Sequence, residues 1–386
     1  MNDSFEFLVR KDITFLNFGS FGSCPKEVFD VYQQKQLALE EQPVSFIVEE
    51  GIIQLNQARL SLASYVNCRA IDIVFVLNPS YAINTIAKSF PLKPGDEILS
   101  TNLEYGALVR TWNYYCDQKG AKFIQQPIPL PITSEEEIIE AFFKGYSENT
   151  KAIFISQLTS STALILPVEE ICKEAKKRGL ITIVDGAHVP GHIPLDLKTL
   201  SADIYTGACH KWMMAPKGSS FLYVTEAIQR WFDPLLISWG FNSDFPSESQ
   251  FIDYHQTCGT RDFSAFLTVP FCIEFMHRNN WNEISSKNKS LTLDWALNLK
   301  DTFPFEPISP INSCFLGQMF AIPIKTTDPV KLKQHLYHTF KIEIPVTQMQ
   351  NRFFIRYSVQ EFNDESDFCV LKDALVQLQK SGIIKF

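Results

Sequence analysis

From residue 70 to about 225, short apolar runs rich in β-branched and aromatic residues alternate with stretches whose apolar positions recur every three or four residues. The runs predict strands at 72–76 (DIVFV), 97–101 (EILST), 121–126 (AKFIQQ), 151–156 (KAIFIS), 181–185 (ITIVD) and 219–224 (SSFLYV). Between the fourth and fifth, VEEICKEAKKRG puts Val168, Ile171, Cys172 and Ala175 on one helical face, and Gly179 supplies the stop. Strand, helix, strand in that order is a βαβ unit, so the expected fold class is α/β, a mainly parallel sheet covered by helices. Ligand sites of such sheets gather beyond the carboxyl ends of the strands, and Asp185 stands at such an end.

Past FNSDFPSESQFIDYHQTCGTRD the pattern changes to a helical segment, then strands MFAIPI and RFFIRYS with the helix PVKLKQHLYHTF between them, and a closing helix DFCVLKDALVQLQKSG. The expected division is an N-terminal segment 1–23 packed near the site, a large domain 24–258 and a smaller α+β domain 259–386.

Composition narrows the picture. A chain of 386 residues is long enough for two interiors. Its 35 basic and 43 acidic side chains give a net charge of −8 with no basic stripe, which disfavours nucleic acid and anionic membrane as partners. No apolar run reaches bilayer-spanning length, and MNDSFEFLVRKDITF lacks the basic start and apolar core of a signal peptide. Nine scattered cysteines without a CxxC predict reduced thiols in a cytoplasmic protein, most of them small core residues, with Cys314 expected in a core-packed strand.

Three positions carry candidate chemistry. NPSYAINTIAKSF follows the first strand and opens a helix near Ser80, where free N–H groups and the helix dipole can receive an anion; an ordinary Ser N-cap explains the same pattern. Asp185 closes an apolar strand, where a carboxylate is costly unless a cation faces it. Twenty-six residues on, Lys211 precedes Trp212, Met213, Met214 and Ala215. A lysine desolvated by such neighbours is more easily neutral and nucleophilic. A carboxylate for a protonated ring nitrogen, a lysine for an aldehyde and a helix start for a phosphate are what pyridoxal 5'-phosphate (PLP) demands.

The stretch VDGAHVPGHIPLDL…SADIYTGACHKWMMAPKGSSFLYV resembles the class V aminotransferase family of PLP-dependent enzymes. FLNFGSFGSCP, CGTRDFSAFL and FFIRYSVQEFND resemble the same family in the same order, so the likeness covers nearly the whole chain. It implies the PLP-dependent transferase fold (type I): a seven-stranded, mainly parallel sheet with helices on both faces, a smaller C-terminal domain, a homodimer and a small amino-acid substrate. It implies Lys211 as the Schiff-base lysine and Asp185 as the partner of the pyridine nitrogen. His188 and Ser160 then lie beside the cofactor's ring oxygen, Ser160 standing where many relatives have Asn. Tyr105 stacks on the ring. Ser80, Tyr81 and His210 hold the phosphate, and Ala208 replaces a polar residue common in that loop. Gly259 and Thr260 reach the phosphate of the neighbouring subunit. Arg356 grips the substrate carboxylate, with Asn17 and Ser20 close by; an internal ion pair is the structural alternative for Arg356.

The motifs are most like those of the family's epimerases, which implies proton removal and return at the substrate Cα with Lys211, Asp185 and Tyr105 as catalytic residues. C–S elimination and transamination stay open. KIEIPVTQMQNRFFIR has no cysteine, which disfavours a persulfide route. Two rivals belong to other classes: a metal site of His188, His192, Cys209 and His210, disfavoured by Pro190 and Gly191 between the first two, and a non-catalytic interaction protein.

Overall fold

The structure is a computed structural model, and it describes residues 5–386; residues 1–4 of the expected N-terminal segment lie outside the described residues. A two-residue strand, β1 (Thr14–Phe15), comes first. The main sheet follows: β2 (Ile73–Val76), β3 (Glu97–Thr101), β4 (Lys122–Gln126), β5 (Thr150–Ser156), β6 (Ile181–Gly186), β7 (Ile204–Ala208) and β8 (Ser220–Val224). Its order is β2-β8-β7-β6-β5-β3-β4, and every neighbouring pair is parallel except the two that β8 makes.

Alternation along the strands shows why the sheet is covered on both sides. Ile73 and Phe75 of β2, Ile153 and Ile155 of β5 and Val184 of β6 face one core. Val74 and Val76, Ala152 and Phe154, and Ile183 face the other. The helix Val168–Lys177 buries the four positions read from its periodicity, Val168, Ile171, Cys172 and Ala175, in the first core. The helices Pro79–Ser89 and Gly106–Gln118 close the second with Ile83, Ile86, Leu108 and Trp112.

Toward the C-terminus β9 (Met319–Ile324), β10 (Ile342–Glu343), β11 (Val346–Met349) and β12 (Arg352–Ser358) follow. β11, β12 and β9 form an antiparallel sheet, and β10 pairs with β1. Trp295, on the helix Trp281–Thr302, packs on Tyr357 and on Phe368 of the last helix, Glu365–Lys380 (ring centroids 5.7 and 5.0 Å).

The structure adds two elements to those read from the pattern and corrects two expectations. β7 was absent from the pattern of runs. The stretch that marks the change of character holds a helix, Gln250–Gln256, whose Phe251 and Ile252 are buried in the second core. The helix after β2 starts at Pro79, and its N-cap is Asn78, whose side chain accepts the Tyr81 N–H. Cys314 is exposed in a turn; Phe315 and Leu316 beside it point inward instead. Cys24, Cys116, Cys172, Cys209 and Cys272 are buried, and all nine thiols are free.

Candidate active site

Lys211 lies in the turn between β7 and β8. The Ala215 N–H donates to the Cys209 carbonyl and the Met214 N–H to that of Lys211, both at 3.1 Å. Met214 takes a left-handed conformation (φ 60°), uncommon for a residue with a side chain. The turn buries Trp212 through Ala215 completely and leaves Lys211 part-buried at the wall of a cavity. The Trp212 ring packs on His192 at 4.0 Å and on Phe18 at 5.2 Å. Burial lowers the Lys211 ammonium from 10.5 to about 8; Asp185 opposes the fall and Arg356 adds to it.

Asp185 stands one residue before the end of β6, in register with Ser156 of β5 and Thr206 of β7. Its Oδ1 accepts the Ala187 N–H at 2.9 Å. Burial raises its carboxyl above the usual value, against the pull of that N–H and of Lys211. His188 Nε2 is 3.1 Å from Lys211 Nζ, while its buried Nδ1 has no partner among the described residues. Burial, with the Lys211 and Arg356 cations next, holds this imidazole neutral.

Arg356, on β12, donates through Nη1 to the Ser160 carbonyl and hydroxyl and through Nη2 to Ser20 Oγ at 3.1 Å. Its Nε has no partner among the described residues. These acceptors are neutral oxygens, so the internal ion pair is absent among the described residues, and burial lowers the guanidinium from 12.5 to about 10. Ser20 is set in turn by Asn17, whose Oδ1 accepts its hydroxyl at 2.5 Å. Residues 16–22 form a strap over the site: the Ser358 N–H donates to the Leu16 carbonyl at 2.9 Å, and the Gly19 N–H to Ser358 Oγ at 3.0 Å.

One cavity of about 660 Å³ brings together Ser20, Ser80, Tyr105, Ser160, Asp185, His188, His210, Lys211 and Arg356. That volume suits a cofactor with a small substrate. Tyr105 is 49% exposed, so it is a wall residue and not a core tyrosine. His210 Nδ1 lies 3.0 Å from the Ser219 carbonyl and so carries the proton; burial lowers this ring from 6.5 to about 4.

Four expected residues do not line the cavity. Asn17 stands behind Ser20. Tyr81 turns its hydroxyl to Cys258 Sγ at 3.6 Å, and its N–H is taken by Asn78. Gly259 and Thr260 are exposed elsewhere on this chain.

The metal rival fails on geometry. His192 Nε2 accepts the Gln318 N–H at 2.6 Å and its Nδ1 lies 3.0 Å from the His188 carbonyl, so neither nitrogen is free to ligate.

The sequence reading missed Glu104. Its buried carboxylate accepts the Thr101 hydroxyl (2.6 Å), the Ser156 N–H (3.2 Å) and the Ser156 hydroxyl (2.5 Å). Burial raises it from 4.5 to about 7, with Asp185 adding to the rise. Its only mark in NLEYGA is its place between Leu103 and Tyr105, two before a helix, which a solvated loop glutamate shares.

The residues fit PLP. The His188 Nδ1 and Arg356 Nε are buried polar atoms that a ligand heteroatom would relieve of about 1–3 kcal/mol each. The Ser80 N–H and hydroxyl have no partner among the described residues, and Lys211 and Asp185 act on each other across the cavity they line. The Aminotransferase class-V family matches residues 23–347. The chain belongs to that family. It is 31% identical over 382 residues to an isopenicillin N epimerase of Amycolatopsis lactamdurans, covering 95% of this chain and 96% of the relative. It is 26% identical over 403 residues to an L-cysteine desulfhydrase of Arabidopsis thaliana, covering 95% and 87%. The solved cystine C-S lyase C-DES, in complex with cysteine persulfide, superposes with a TM-score of 0.81 at 18% identity, over 95% of this chain and 97% of that one. The fold is therefore that of the PLP-dependent class-V enzymes, and the cofactor is pyridoxal 5'-phosphate.

Proposed function

We propose that the protein removes the α-proton of an amino-acid substrate and returns it, an epimerase or racemase reaction. The observation that carries this is the meeting, in one cavity, of a lysine whose ammonium is lowered to about 8, a buried carboxyl and a buried arginine without a counter-anion. PLP, when bound, supplies an electron sink for the charge left at the α-carbon. In this reading Asp185 keeps the ring nitrogen protonated, and His188 and Ser160 attend the ring oxygen. Ser80 and His210 receive the phosphate, with Tyr81 fixing the helix start behind them. Tyr105 covers the ring. Arg356 and Ser20, steadied by Asn17, orient the substrate carboxylate. Lys211 Nζ takes the Cα proton, and the Tyr105 hydroxyl returns one from the other side. The working unit is a homodimer in which Gly259 and Thr260 complete the neighbour's phosphate site.

Full-length identity to epimerases favours epimerisation. A C–S lyase is the second reading, favoured by the desulfhydrase relatives and by its need for Lys211 alone as base. Incubating the holo-protein with L-amino acids in deuterated water decides between them. Deuterium at Cα with inversion supports epimerisation; sulfide, ammonia and a 2-keto acid from cysteine select the lyase. No exchange with any amino acid defeats both. Lys211→Ala should leave no cofactor fixed to the 205–217 region after borohydride, and a labelled Lys217 in that variant would reassign the base.

A further inference from the structure

The cavity carries more positive charge than the proposed roles use. Its charged lining is Asp185, Lys211, Lys217 and Arg356, a surplus of cations in a chain whose net charge is −8. Lys217 is exposed, and its Nζ donates to the Gly22 carbonyl at 3.1 Å. Among the described residues no carboxylate lies within ion-pair distance of it. Arg356 and Lys217 hold the two ends of one short piece of strap, Arg356 at Ser20 and Lys217 at Gly22. Those two residues are at most about 7 Å apart along the chain. Between them Phe21 is 69% exposed and lines the same cavity.

A cation, an apolar side chain and a second cation in that order match a chain of methylenes with an anion at each end. We propose that Lys217 is the far half of a two-point clamp, which selects amino acids carrying a second carboxylate at the end of the side chain. Arg356 takes the α-carboxylate, Phe21 covers the methylenes, and the Lys217 ammonium takes the distal carboxylate through a charge-assisted hydrogen bond. This rests on the assignment of Arg356 above. The cofactor's phosphate is the other anion that could occupy Lys217, and the test separates the two.

Non-reacting acids are titrated into the holo-protein at constant ionic strength, with the cofactor's absorbance as readout: glutarate and adipate against valerate and hexanoate. The expected result is dicarboxylate binding about tenfold or more tighter than that of the matched monocarboxylate. Lys217→Met should bring the ratio to about one, and Lys217→Arg should keep it. Equal affinities in the wild type, a ratio that survives in Lys217→Met, or loss of cofactor from Lys217→Met overturns the clamp. Cα deuterium exchange on L-glutamate, with alanine as the control that lacks a distal carboxylate, is run alongside. Exchange without the dicarboxylate preference sinks the clamp and leaves the reaction standing; the preference without exchange does the reverse.

Discussion

Burying Glu104 against Thr101 and Ser156 ties the stability of the fold to pH. Its folded value of about 7 lies above its usual 4.5, so the native state binds this proton more tightly than the unfolded chain does. The resulting stabilisation is full below about 4.5 and is lost as pH rises through about 7, a change of about 3 kcal/mol at most. Glu104→Gln should flatten urea-denaturation stability between pH 5 and 7 in cofactor-free protein; an unchanged slope would place the titration elsewhere. Arg356 makes the opposite trade. A buried guanidinium facing only neutral oxygens is costly, so Arg356→Met should stabilise cofactor-free protein by about 1 kcal/mol or more. The same variant should raise KM for the amino acid about tenfold or more while the cofactor stays bound. A KM that does not move counts against its grip on substrate. Lys211, Asp185 and Arg356 were legible because each breaks an apolar run. Glu104 was not, since a glutamate in a loop reads as solvated until the strand ends carrying Thr101 and Ser156 are brought together. The Ser80 cap misled for a related reason: Asn78 and Ser80 are both good caps, and only the backbone chooses between them.

At the scale of elements, the strap 16–22 is the piece that pattern could not reveal, because it holds no strand and its helix, Phe18–Phe21, is four residues long. Gly22 fixes its seat. Its φ is +65°, and an added Cβ would stand 2.4 Å from the His210 carbonyl and 2.5 Å from that of Lys211. Gly22→Ala should therefore cost about 1–3 kcal/mol and depress turnover together with it. Gly179, at φ +71° with nothing within 4 Å, separates strain from collision. Gly179→Ala should cost about 1 kcal/mol and leave KM alone; equal kinetic damage from both would remove the strap from the site. β7 escaped the sequence reading for a packing reason. All five residues are buried, so polar alternation is lost, and Gly207 is required where Phe221 and Pro190 come within 2.6 and 2.7 Å of a Cβ. The amphipathic helices were legible because one face meets a core and the other meets water, as in Val168–Lys177.

On the whole molecule, apolar side chains stay uncovered on two stretches: Val44, Val48, Ile53 and Leu60 on helices near the N-terminus, and Ile237, Trp239 (82% exposed) and Phe245 (92%) on the loop after β8. Uncovered apolar side chains grouped in this way mark surfaces for protein–protein contact, which suits the proposed homodimer. Val48→Glu with Ile53→Glu should shift sedimentation from dimer to monomer and weaken PLP binding, since Gly259 and Thr260 would no longer reach a neighbour. A wild-type chain that sediments as a monomer would end that reading. The doubly covered sheet could be foreseen from strands and helices taking turns; which surfaces meet a second subunit is not written in periodicity, because an interface and a core use the same residues. The bond from Gly19 to Ser358 spans 339 positions. During synthesis the main sheet, complete by β8, can therefore assemble while its catalytic end stands open, and the strap can fasten only after Ser358 has left the ribosome. The covering of the cavity is thus a later event in the birth of this chain than the laying down of its sheet.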